Sequence, residues 1–350
     1  MTPSLTIDGH RIAADAPVFI IAEAGVNHNG DPAMAAELIR AACRTGADCV
    51  KFQTFKAERV VTAAAPKARY QLGTTDPAES QLDMLRKLEL GEPHYRTLLD
   101  LARAEGIACI STPYNEEDVD FLDALGISAF KLASISCAEP SFLRYVAEKG
   151  RPIILSTGMA TLDEVRSAVA AIHATGNPQL VLLQCTTNYP SRIEDTNLRA
   201  MLTLRDATGV LAGYSDHTPS HTACIAAVAL GACMIEKHFT LDKSLPGPDQ
   251  STSCDPAEFT ALVRAIRDTE LALGHGRKEP AEIETINAIG MRRSIAARVN
   301  IPIGTTLTAA MLTLKRPATG LAPILIDQLI GRTTTREIAA DELLAWESVQ

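Results

Sequence analysis

From residue 18 to residue 273 the chain alternates between short apolar runs and stretches whose apolar positions recur at helical spacing. The first run is Val18-Phe19-Ile20-Ile21-Ala22-Glu23-Ala24-Gly25. A turn at Asn27 to Gly30 leads into a helical stretch over 31–45, where Met34, Leu38, Ile39 and Ala42 share a face and Asp31 is placed as N-cap. A second run, 49–54, follows. Residues 56–92 then break the rhythm as a long insertion with a short helix of its own over 79–88, the kind of loop that serves as a lid or binding loop. The alternation resumes with helix 93–105, strand 107–113, helix 116–125, strand 129–134, helix 140–149, strand 152–158, helix 162–174, strand 180–186 and helix 197–207. The seventh strand runs from Val210 into Gly213-Tyr214-Ser215-Asp216-His217-Thr218, and helix 220–230, strand 234–240 and helix 256–273 complete the series.

Eight strand–helix units of this length predict a (β/α)8 TIM barrel over residues 1–274. A doubly wound open sheet is the alternative, but no G-x-G-x-x-G follows the first strand. Residues 275–289, polar and charged with Pro280, read as a linker. Residues 290–350 carry short apolar runs at 294–299 and at Leu312 and Leu314, with turns at Ile303-Gly304 and Thr319-Gly320. They are expected to form a second, small domain, near the lower size limit for folding alone.

Composition narrows the class. Apolar residues make up 46% of the 350 and aromatics 4%, which suits an aliphatic α/β interior. A net charge of -9 argues against nucleic acid as a partner. The eight cysteines form no C-x-x-C pair and several sit inside apolar runs, so they read as reduced core residues of a cytoplasmic protein. No apolar segment at the N-terminus reads as a signal, and no run reaches membrane-spanning length.

The carboxyl ends of the predicted strands hold the chemistry. They carry Glu23; Lys51 and Gln53; Thr112; Lys131 and Ser134; Ser156 and Thr157; Thr186 with Tyr189; Ser215 and His217; Glu236 and His238. In a parallel barrel these ends converge on one mouth. Lys51 and Lys131 with Ser134, Ser156 and Ser215 would cradle a phosphate or a phosphorylated carboxylate. His217 and His238, on neighbouring strands, suit a divalent metal acting as Lewis acid, the plainer alternative being two hydrogen-bonded imidazoles. Glu23 is placed to move a proton.

These residues resemble the sialic acid synthase family, which condenses phosphoenolpyruvate with an N-acylated mannosamine-type sugar. The resemblance spans essentially the whole chain. It is carried by Ile21 to Gly30, Val50 to Thr54, Ser111-Thr112-Pro113, Lys131 to Ser134, Leu155 to Met159, Cys185-Thr186 with Tyr189-Pro190, Gly213 to Thr218, Glu236 to Thr240 and Gly247-Pro248-Asp249. Lys315-Arg316-Pro317 with Gly320 resembles the family's C-terminal antifreeze-like (SAF) domain. The resemblance implies that His217 and His238 bind Mn2+, with Mg2+ or Co2+ as alternatives. It implies that Lys51, Thr112, Lys131, Ser134, Ser156 and Ser215 hold phosphoenolpyruvate, and that Glu23 is a catalytic acid/base. Gln53, Tyr189 and Asp249 would contact the sugar. It further implies a homodimer with swapped small domains, in which Arg316 enters the partner's site.

Three positions depart from the common pattern: Ser136, Gln184 and Gln250, and they are expected to bear on which sugar binds. Motifs in the insertion (Tyr70-Gln71; Glu79-Ser80-Gln81) and Lys237 to Lys243 look like the legionaminate/neuraminate branch, so the expected acceptor is N-acetylmannosamine or 2,4-diacetamido-2,4,6-trideoxymannose. The alternatives are a pseudaminate synthase, another phosphoenolpyruvate-dependent 3-deoxy-ulosonate synthase, or a non-enzymatic sugar-binding barrel.

Overall fold

Strand alternation decides what fills the barrel. In the computed structural model, which describes residues 3–68 and 70–350, a hairpin of β1 (Ser4–Ile7) and β2 (His10–Ala13) precedes eight parallel strands. These are β3 (Phe19–Gly25), β4 (Cys49–Thr54), β5 (Ala108–Pro113), β6 (Phe130–Leu132), β7 (Ile153–Ser156), β8 (Leu180–Cys185), β9 (Leu211–Asp216) and β10 (Met234–His238). They close in sequence order, β10 pairing with β3, so the predicted TIM barrel is the observed fold. Successive residues of a strand face opposite sides. One set, including Ile20, Val50, Phe130, Leu155, Leu182 and Ile235, packs outward in the main core with the helices. The other, including Ile21, Cys49, Ile110, Ala129, Ile154, Val181 and Met234, fills the interior. Two residues further along, the same inward stripe becomes Glu23, Lys51, Thr112, Lys131, Ser156 and Glu236. The barrel is thus an apolar plug beneath a polar layer, written into one alternation.

The hairpin was not foreseen. Its strands are four residues each and only Leu5, Ile7 and Ile12 are large and apolar, too little for a periodic signal, yet all three join the interior plug from below. The predicted helices form, several with caps: the Asp31 carboxylate accepts from Ala33 N–H, and Thr161/Glu164 and Asp255/Glu258 make reciprocal capping boxes. The second strand of the resumed series is shorter than expected. β6 stops at Leu132 because Ser134–Ala138 winds into a 3-10 turn, and Ser134 Oγ is drawn to Gly158 N–H at 2.9 Å.

Among the described residues the insertion carries three short helices, Ala57–Val60, Gln71–Thr74 and Gln81–Leu88. Its members Val60, Met84, Leu85 and Leu88 make a satellite core with Val26, Phe55 and Tyr114, which stand just beyond the ends of β3, β4 and β5.

The first compact unit runs Met1–Gly274 and the second His275–Gln350. In the second, β11 (Ser294–Ala297) pairs antiparallel with β12 (Leu312–Lys315) over a core of Ile295, Ala297, Ile301, Leu307, Leu312, Leu329, Ile338, Leu344 and Val349. The stretch read as a linker carries a helix, Glu282–Met291, none of whose residues is buried. Among the described residues no helix is long and apolar enough to cross a membrane.

Candidate active site

The polar layer surrounds a cavity of about 260 Å³ at the carboxyl ends of the strands. Register explains why its charges meet. Glu23 pairs with Lys51 across β3 and β4, His238 pairs with Glu23 across β10 and β3, and Glu236 pairs with Ser215 across β10 and β9. Lys51 Nζ lies 3.1 Å from Glu23 Oε2 and 3.1 Å from Glu236 Oε2. Glu236 Oε1 accepts from Ser215 Oγ at 2.9 Å and lies 3.5 Å from Lys131 Nζ, which donates to Ser156 Oγ at 2.8 Å. All of these side chains are buried.

Burial and pairing pull the two carboxylates apart. Burial pushes the Glu23 carboxyl up to about 7, with Lys51 only partly offsetting it. Burial also opposes charge on Glu236, but Lys131 and Lys51 together hold it down at about 2. Lys51 stays charged because Glu23 and Glu236 outweigh the burial that acts against it. On Lys131 burial wins and its pKa falls. The result is one carboxyl able to carry a proton near neutrality and one fixed as an anion between two lysines.

The histidines stand together across this layer, their rings 5.4 Å apart, with the Tyr189 ring 4.1 Å from His217 and 5.4 Å from His238. Burial lowers both, His217 to about 4 and His238 well below its ordinary value, so both imidazoles are neutral. His217 Nδ1 is 2.7 Å from the Thr186 carbonyl, which accepts only from N–H. Its Nε2 therefore carries the lone pair. His238 Nδ1 is buried with no hydrogen-bond partner among the described residues, its nearest carboxylate being Asp249 at 4.0 Å. Two neutral imidazoles, one tautomer fixed and one nitrogen orphaned, fit a divalent cation. No cluster of three or more His, Cys, Asp or Glu donors occurs among the described residues, so such an ion would take its other ligands from water or substrate.

Behind the histidines, Lys237 Nζ and Asp216 Oδ2 form a buried pair at 2.6 Å on the outward faces of β10 and β9. Lys237 also donates to the Thr218 carbonyl at 2.6 Å. This pair ties together the two strands that deliver the imidazoles.

Gln53, Thr112, Ser134 and Asp249 also line the cavity, whereas Thr157 and Thr186 do not, their hydroxyls donating to the Leu183 carbonyl at 2.9 Å and the Asp195 carbonyl at 2.8 Å. Gln53 spans two lining residues, donating to Glu23 Oε1 at 3.1 Å and accepting from Tyr114 O–H at 3.0 Å. Thr112 Oγ1 is buried with no partner among the described residues. Ser134 Oγ lies 3.2 Å from Cys185 Sγ. Gly158 has to be glycine here: a Cβ would come within 2.3 Å of Thr187 Oγ1 and 2.8 Å of Cys185 Sγ. Burial raises Asp249 to about 6. Arg316 is exposed on the second unit, just after β12.

Glu236 was named at a strand end but given no role; the same alternation that places His238 inward places Glu236 inward two residues earlier. Tyr70, Gln71 and Tyr114 are further lining residues, Tyr70 stacking on Tyr189 at 5.0 Å. The three departures stand outside the lining. Gln250 is spent on the Asn27 carbonyl at 2.9 Å and on Thr240, Gln184 donates to the Thr196 carbonyl at 3.2 Å, and Ser136 is buried in its 3-10 turn.

Fold and site together define a TIM-barrel enzyme with a buried lysine and glutamate network set beside an imidazole pair. The NeuB family model matches residues 38–278, and the SAF domain model residues 292–350. The chain is 45% identical over 336 residues to the N,N'-diacetyllegionaminic acid synthase of Legionella pneumophila, covering 95% of this chain and 94% of that one. To the N,N'-diacetyllegionaminic acid synthase of Campylobacter jejuni it is 43% identical over 327 residues, 93% and 98% of the two chains. The crystal structure of the N-acetylneuraminic acid (sialic acid) synthetase of Leptospira borgpetersenii in complex with citrate superposes with a TM-score of 0.72 at 32% identity, covering 82% of this chain and 95% of that one. The chain belongs to the NeuB family of sialic acid synthases and carries a C-terminal SAF domain.

Proposed function

We propose that this enzyme condenses phosphoenolpyruvate with 2,4-diacetamido-2,4,6-trideoxymannose and water, giving a legionaminate-type nonulosonic acid and phosphate. Condensation of phosphoenolpyruvate with an N-acylated amino sugar is the activity of the family, and the two N,N'-diacetyllegionaminic acid synthases favour this acceptor over N-acetylmannosamine. The observation that carries the reading is the buried chain Glu23–Lys51–Glu236–Lys131–Ser156 beside His217 and His238. It combines buried lysines, a carboxyl poised to protonate and two neutral imidazoles around one cavity.

Each group has a task. Lys51, Lys131, Thr112, Ser134, Ser156 and Ser215 hold the phosphate and carboxylate of phosphoenolpyruvate, acting as preorganised electrostatics. Carbon 3 of phosphoenolpyruvate forms a bond to the aldehyde carbon of the open-chain sugar. Glu23, its carboxyl near 7, gives a proton to the hydroxyl that forms there. Water adds at carbon 2, and the C–O bond to phosphate breaks. His217 and His238 would hold the divalent ion, Mn2+ or alternatively Mg2+ or Co2+. The chemistry such an ion supplies there is polarisation of the aldehyde oxygen. Gln53, Tyr189 and Asp249 orient the sugar. Arg316 of a second copy enters the mouth and donates to the acylamino carbonyl, making the working form a homodimer with exchanged SAF domains. The eight free thiols suit a cytoplasmic setting.

The test is phosphate release from phosphoenolpyruvate over a panel of amino sugars, with and without EDTA. Release that needs both sugar and metal is expected. No release with any sugar in the panel would overturn the reading in favour of a sugar-binding protein.

A further inference from the structure

The satellite core under the insertion lacks one side. Val26, Phe55, Val60, Met84, Leu85 and Leu88 pack together against the Tyr114 ring, and every one of these residues also lines the cavity. A hydrophobic cluster of this kind is stabilised by covering its last face, and here that face is the cavity itself. The wall is preorganised, because Phe55, Met84 and Leu88 are buried and the helix Gln81–Leu88 is capped by Ser80. Its border with the polar layer is also fixed. The Tyr114 hydroxyl is committed to Gln53 at 3.0 Å and the other end of that amide to Glu23 at 3.1 Å. These bonds use the single hydroxyl proton of Tyr114 and one of the two amide protons of Gln53.

We infer that this wall receives the terminal C6 methyl of the acceptor sugar and selects a 6-deoxy sugar over its 6-hydroxy counterpart. The inference rests on the synthase reading above and adds the residues that set the specificity. The aldehyde end of the acceptor belongs beside Glu23 and the imidazoles, and phosphoenolpyruvate occupies the lysine and serine side. The far end of the sugar is then directed to the loops after β3, β4 and β5, where the aliphatic residues stand. A methyl there completes the cluster. A hydroxymethyl there is desolvated against mainly aliphatic carbon, which costs binding, and an apolar pocket discriminates against such an added hydroxyl by up to about 100-fold.

The experiment compares kcat/KM for 2,4-diacetamido-2,4,6-trideoxymannose and 2,4-diacetamido-2,4-dideoxymannose, which differ only at C6. It uses the full-length enzyme, Leu85→Gln, Val60→Thr and the conservative Leu85→Met. The wild type should prefer the methyl sugar by about 10- to 100-fold. Leu85→Gln and Val60→Thr, which put a hydrogen-bonding group on the half-buried part of the wall, should each shrink that ratio at least about fivefold, while Leu85→Met keeps it. Val60→Thr is nearly isosteric, so it keeps the test sharp even where Leu85→Gln folds poorly. Equal efficiency with both sugars in the wild type, or a ratio unmoved in both polar variants, overturns the wall while leaving the synthase reading intact. Phosphate release from neither sugar overturns the acceptor reading and the wall together.

Discussion

Glu23 and Lys51 are register partners at the ends of β3 and β4, their side chains 3.1 Å apart and almost wholly buried. The pairing fails to keep the carboxyl acidic, because the desolvation of Glu23 exceeds what one shared lysine restores. The folded protein therefore binds this proton more tightly than the unfolded chain. The stability Glu23 contributes is present below its ordinary value of 4.5 and is lost as pH rises through about 7. Glu23→Gln should abolish that dependence, so the melting temperature of the variant relative to wild type rises between pH 5 and pH 8. Its turnover should fall about 100- to 10,000-fold. A difference in melting temperature that does not change across this pH range would show that the carboxyl is not raised.

Glu236 behaves in the opposite sense. Its carboxyl is held at about 2, so its contribution is present above its ordinary 4.5 and is lost as pH falls towards 2. Glu236→Leu leaves Lys51 with Glu23 alone and takes from Lys131 its counter-charge. Removing one partner of a buried charge set costs about 3–5 kcal/mol, read as a drop in denaturant midpoint at pH 7. A variant as stable as wild type would mean that the lysines are not charged in the folded state.

His217→Ala and His238→Ala should each leave a folded protein whose Mn2+ affinity, measured by calorimetry on metal-stripped samples, is at least about 10- to 100-fold weaker. Thr186 fixes His217 through a backbone carbonyl, so no side-chain substitution at residue 186 should reproduce the loss. Unchanged affinity in both histidine variants would remove the imidazoles from the metal site.

The exchange of SAF domains is tested by mixing two inactive variants, Glu23→Ala and Arg316→Ala, under conditions that let subunits exchange. A mixed dimer contains one site with both groups intact, so activity should return towards a quarter of wild type at equal ratio, on the order of one intact site in four. No recovery despite confirmed exchange would show that Arg316 serves its own barrel or none.

The barrel and most of its mouth were legible because one physical rule generates both. Period-two alternation carries an inward stripe from Ile21 to Glu23, from Cys49 to Lys51 and from Ile154 to Ser156, so a strand's apolar run announces the polar residue at its end. The same rule places Glu236 inward two residues before His238, but the two lysines that give it a role come from other strands. Other parts had no such signal. The hairpin Ser4–Ala13 has too few apolar residues to show a period, and the apolar wall depends on how helix Gln81–Leu88 docks on loops far away in sequence. The departures at Ser136, Gln184 and Gln250 do not line the cavity: Gln184 and Gln250 donate to backbone carbonyls and Ser136 is buried in its 3-10 turn.

Hairpin β1–β2 has a kinetic consequence. Leu5, Ile7 and Ile12 deepen the plug that the strands' inward side chains form, and among the described residues the barrel is a well closed beneath its polar layer. Whatever binds deepest, beside Lys131 and Glu236, must arrive before the upper part of the well is filled and must wait for it to empty. With the proposed placement of phosphoenolpyruvate on the lysines, such a well is expected to work last in, first out: phosphoenolpyruvate loads ahead of the sugar, and the acid departs ahead of phosphate.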